Sequence, residues 1–141
     1  MLEVTVYRKF VAVVLGLNGL ILVLIGYMIL TTAETQLAAL DLETSQIQQI
    51  LPNYFGLGLS DALSSVFSFA AMVLVYRANP SGRTLSLLIG IYLALVGLGL
   101  YLLSGALFGL YFISARGLII MGLAWKLSRG DTRVTATADE T

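Results

Sequence analysis

"FVAVVLGLNGLILVLIGYMIL", residues 10–30, runs for twenty-one residues with no charge and one strongly polar side chain, Asn18. At 1.5 Å per residue such a helix is about 32 Å long, the thickness of a bilayer's hydrocarbon core. The run is too long for the roughly 7–15-residue apolar region of a signal peptide, and "TTAETQ" after it lacks a small-residue cleavage pattern. A permanent transmembrane helix is therefore expected. The same reading applies at 54–76, 85–103 and 106–125, each long enough to cross with little or modest tilt.

Composition agrees with four crossings. The 141 residues are 58% hydrophobic and 11% charged, whereas globular domains carry about 25% charged residues. An all-α membrane protein is predicted: one domain over 1–128, built as a four-transmembrane-helix up-and-down bundle with an additional amphipathic outer helix. Eight basic and eight acidic residues cancel, which leaves no basic stripe for nucleic acid. With neither cysteine nor histidine, the chain lacks the usual ligands for zinc, haem and iron–sulfur clusters, and no cofactor is expected. Lys9 and Lys126 both fall at span ends, so a retinal Schiff base inside the membrane is not expected either.

Flanking charges set the orientation. Arg8, Lys9, Arg77, Arg83, Lys126, Arg129 and Arg133 all lie on one side of the four spans. The other side carries Glu34, Asp41 and Glu43 and no basic residue. The positive-inside rule then places both termini in the cytoplasm of a plasma or cell membrane protein. Tyr7, Tyr76 and Trp125 are expected at the inner interface, and Tyr27, Tyr54 and Tyr101 near the outer one, as aromatic anchors.

The outer segment 31–52, "TTAETQLAALDLETSQIQQILP", is too polar to span. Thr31 and Glu34 fit a capping box, and Leu37, Leu40, Ile47 and Leu51 recur at helical spacing. Pro52 reads as a stop. An amphipathic surface helix broken near Asp41–Thr44 is predicted, either as a lid over the bundle or as a docking surface. Residues 129–141, polar and Thr-rich, are expected to be a disordered cytoplasmic tail.

Close helix approach requires small residues, because lipid supplies no hydrophobic force between helices. Gly56, Ser60, Ser64 and Ser68 form one ridge at every fourth position, and Ser86, Gly90 and Ala94 form a shorter one. The two ridges are expected to pack spans two and three as a hairpin. The "RANPSGR" and Ser104–Gly105 turns make successive spans antiparallel neighbours.

Three strongly polar residues interrupt the spans at similar depth. Asn18 is nine residues from Lys9, Asp61 nine from Pro52 and Arg116 eleven from Gly105, or about 14–17 Å by helical rise. Ser65 and Ser68 share the helix face of Asp61. An arginine at a helix centre costs on the order of 2.5–3.5 kcal/mol on insertion scales, so Arg116 is expected to face the bundle interior, a water-filled cavity or a partner, and Asp61 has the right depth and sign for an ion pair. This intramembrane polar cluster, Asn18, Asp61, Ser65, Ser68 and Arg116, reads as glue that fixes helix rotation, as part of a pathway, or as a contact with another subunit. A pathway needs polar groups at several depths, and these gather chiefly at one. The segments outside the spans hold no paired carboxylates with acid–base geometry, no nucleophile beside a base and no Gly-rich phosphate loop, so the expected function is non-enzymatic. The chain is read as an accessory or interaction subunit of a membrane assembly, its partners being the lipid bilayer and a membrane protein or a second copy. The alternative is a small oligomeric transporter or channel that uses the Asp61 and Arg116 pair.

Overall fold

The computed structural model describes residues 2–39, 43–105, 107 and 109–138. These contain α1 (Leu2–Ala38), α2 (Thr44–Tyr76), α3 (Pro80–Ser104), a π-helical segment (Gly109–Ser114) and α4 (Ala115–Ala138), with no strand among them. Three of the helices, over Glu3–Ala38, Thr44–Tyr76 and Pro80–Leu102, are long and apolar enough to cross a membrane. In the fourth expected span, 106 and 108 lie outside the described residues, and residues 109–125 divide between the π-helical segment and the start of α4.

The segment 31–52 is not a separate helix. Residues 31–38 complete α1, and residues 44–52 open α2. Leu40 and Asp41 lie outside the described residues. The Thr31 hydroxyl, expected as a helix cap, donates instead to Tyr27 O at 2.7 Å, and Thr32 donates to Met28 O at 2.7 Å. Extending an existing helix carries no nucleation cost, and back-bonded hydroxyls satisfy the polar residues within it. The cap lies further on, at the start of α2, where Glu43 N–H donates to Gln46 Oε1 at 3.0 Å in one half of a capping box. Pro52 sits inside α2 rather than ending it. Proline in a helix forfeits one backbone hydrogen bond, which apolar segments tolerate when neighbouring groups compensate. The helices are accordingly long: 37 residues for α1 and 33 for α2, or about 56 and 50 Å by helical rise. Past residue 129, where a disordered tail is expected, helix α4 continues to Ala138.

The chain divides into two compact units. One unit, residues 17–67, joins the second part of α1 to the first part of α2. A Cβ placed on Gly26 would lie 2.9 Å from Gly58 O and 3.2 Å from Ala62 N, so the two backbones nearly touch. Leu22, Ile29, Ala33 and Leu37 are buried. The Tyr54 hydroxyl donates to Gln36 Oε1 at 3.1 Å, and Gln36 Nε2 donates to Thr32 Oγ1 at 2.8 Å. The helical spacing expected of a surface helix here places Leu37 inward, with Ile47 and Leu51 half-buried.

The other unit contains the start of α1, the end of α2, and the whole of α3 and α4. Its α2–α3 turn is a Schellman motif: Asn79 N–H donates to Leu74 O at 2.9 Å, and Ala78 N–H to Val75 O at 3.0 Å. Ala78 takes the left-handed conformation at φ 59° that glycine usually fills. Asn79 then caps α3 by accepting from Ser81 N–H at 2.9 Å, with Pro80 at the first helical position as its fixed φ favours. Gly105, at φ 67°, ends α3 with its N–H on Tyr101 O. The turn expected between spans two and three therefore forms where the sequence places it, and α3 ends at the expected Ser104–Gly105 position.

Candidate functional site

Helices α3 and α4 approach each other closely. A Cβ on Gly117 would lie 2.6 Å from both Ala94 N and Gly90 O, and one on Gly90 would lie 2.8 Å from Gly117 O. The Ser86–Gly90–Ala94 ridge, expected to pack span three against span two, meets α4 at its Gly90 and Ala94 positions. Helices α2 and α3 meet at Gly82, whose Cβ position is 2.6 Å from Val75 N. The Ser86 hydroxyl is fully buried and donates to Gly82 O at 2.7 Å. Small residues permit close approach but do not choose the neighbour; the chosen neighbour here is the one with a matching small residue, Gly117.

The ridge on α2 is buried in its second half. Ser64 and Ser68 are buried, Ser60 is half-buried, and Gly56 faces open space. Ala71 and Val75 continue the buried stripe toward the end of α2.

The residues of the expected polar cluster divide between the two units. Asn18, Asp61 and Ser65 belong to the unit of residues 17–67, and Ser68 and Arg116 to the other. Asn18 is 2% exposed and Ser68 0%. Ser65 is buried, and its hydroxyl donates to Ala62 O at 2.6 Å. Asp61 and Arg116 are half-buried. Asn18 Oδ1 and the Arg116 Nε and Nη1 atoms are buried, so the guanidinium is turned into protein. Asn18, Asp61, Ser68 and Arg116 all interact with other groups.

A scan of protein-family models and searches of curated proteins and of solved structures match nothing to this chain. The reading of the site therefore rests on its own residues.

Two features around Arg116 are not evident from apolar patterning. The first is the π-helical segment Gly109–Ser114, which ends two residues before it. Such segments are rare and frequently lie at functional sites. The second is Ser114, which is buried and donates its hydroxyl to Ala94 O at 3.0 Å. Ser114 and Gly117, one turn apart, thus hold α4 to the Ala94 region of α3 by a hydrogen bond and by backbone contact. A serine three residues before a glycine is the small-residue signal that could have revealed it. The chemistry available is that of amide, hydroxyl, carboxylate and guanidinium groups. Among the described residues no group of three or more histidines, cysteines or carboxylates has metal-binding geometry.

Proposed function

We propose that the chain is a non-enzymatic four-span membrane protein with both termini cytoplasmic, acting as an accessory or interaction subunit of a membrane assembly. Residues 106–125 supply the fourth crossing of an up-and-down bundle. Asp61 and Arg116, opposite in charge and matched in depth along the sequence, serve as counter-ions, within one chain or across two. The observation that carries this reading is the distribution of side chains. Asn18, Ser64, Ser65, Ser68, Ser86 and Ser114 are buried, while Leu17, Leu20, Leu24, Leu63, Leu88, Leu95 and Ile119 are exposed. Exposed apolar faces of this extent require lipid or a protein partner. Buried polar groups gathered beside backbone contacts act as packing determinants.

A transporter remains the second reading, favoured by one observation: the π-helical segment immediately before Arg116. Reconstitution separates the two. Liposomes containing the protein and dyes sensitive to pH and membrane potential are compared with empty liposomes, beside pull-down of native membrane proteins in mild detergent. The accessory role predicts a stoichiometric partner and no flux above empty liposomes. Flux that disappears in a folded Asp61→Asn variant would overturn it.

The topology is tested separately in a chain without native cysteines. Single cysteines at Gln46 and Ser81 are exposed in intact cells to an impermeant thiol reagent. Labelling at 46 alone is expected, and equal labelling at both sites would refute the orientation.

A further inference from the structure

An open groove of about 570 Å3 runs between the first part of α1 and the last part of α2, lined by Lys9, Ala12, Val13, Met72, Val73, Tyr76 and Arg77. Its walls follow helical spacing. Lys9, Ala12 and Val13 occupy positions i, i+3 and i+4 on α1, and Tyr76, Val73 and Met72 step back along α2 with the same spacing, with Arg77 directly after Tyr76. The two helices run in opposite directions through the membrane, so both cations stand at one end of the groove. Val13 and Val73 lie one turn further in, about 6 Å by helical rise. Tyr76 is exposed beside the cations, and Val13 and Val73 are exposed along the walls. Met72 closes the floor, its sulfur 2.7 Å from where a Cβ on Gly16 would be.

We infer that this groove binds an anionic phospholipid of the cytoplasmic leaflet. The phosphodiester sits between Lys9 and Arg77, and an acyl chain lies along Val13, Val73 and Met72. Charge complementarity selects the occupant. The lining has two cations and no carboxylate, and the charge bias along the chain assigns this end to the cytoplasmic side, where anionic lipids attract basic side chains. The apolar walls distinguish a lipid from a free anion. A zwitterionic lipid gains less, because its own ammonium opposes the two cations. The inference depends on the orientation proposed for the chain and not on the accessory role.

The test uses the full chain in detergent, with phosphatidylglycerol, phosphatidylcholine and inorganic phosphate as probes. Retained lipid is read by native mass spectrometry, and the thermal midpoint is read in parallel. Wild type is expected to retain phosphatidylglycerol over phosphatidylcholine, with inorganic phosphate leaving the midpoint unchanged. Lys9→Gln with Arg77→Gln should reduce that preference about tenfold or more, whereas Arg129→Gln with Arg133→Gln, which removes the same charge elsewhere, should keep it. Val13→Trp fills the apolar wall at an exposed position and leaves both cations in place, so it should also lose the lipid. Unchanged retention in Val13→Trp, an equal loss in the Arg129 and Arg133 variant, or an equal midpoint shift with inorganic phosphate would each overturn the proposal. A mass that falls from dimer to monomer on Lys9→Gln with Arg77→Gln, without loss of lipid, would identify the occupant as a second copy and overturn it too.

Discussion

Gly117→Ala is expected to destabilise the detergent-solubilised protein by about 3 kcal/mol, the upper end of the usual cost of overpacking. The added methyl group would lie 2.6 Å from Ala94 N and Gly90 O. Both are backbone atoms of α3, so relief requires the helices to separate rather than one side chain to turn. Separation would also strain the hydrogen bond from Ser114 to Ala94 O. Gly122, five residues along the same helix, has nothing within 4 Å of its Cβ position. Gly122→Ala should therefore leave the protein as stable as the wild type or more stable by up to about 1 kcal/mol, the helix-propensity gain of alanine over glycine where no neighbour is displaced. Unfolding free energies of the two variants decide the matter. Equal effects would show that α3 and α4 do not meet at Gly117.

The contrast between these two glycines marks what apolar patterning conveys and what it omits. Long apolar runs and flanking turns are local properties, so the helices and the turns at Ala78–Pro80 and Gly105 follow from the sequence. Burial of Asn18, Ser65 and Ser68 follows as well, because a polar group facing lipid is costly. The neighbour of the Gly90 ridge does not follow, since a small surface fits any other small surface, and only the structure pairs it with Gly117. Continuity of helix through Thr31 and Pro52 is missed for a related reason. Threonine, glutamate and proline all signal helix ends when read locally, yet a helix already formed over twenty apolar residues continues through them. The π-helical segment before Arg116 leaves no mark in composition.

Removal of the two charges in the polar cluster separates helix glue from independent polar residues. If Asp61 and Arg116 are counter-ions, Asp61→Asn or Arg116→Gln alone leaves one charge without its complement. Each should destabilise the protein by about 3–5 kcal/mol, the cost of breaking a buried pair from one side. The double variant removes both charges and should recover part of that loss, because a neutral amide pair carries a smaller desolvation cost. Unfolding free energies of the wild type, both single variants and the double variant in one detergent form a complete cycle. A coupling energy of at least about 1 kcal/mol is predicted, and effects that add within about 0.5 kcal/mol would show that the two charges do not act on each other.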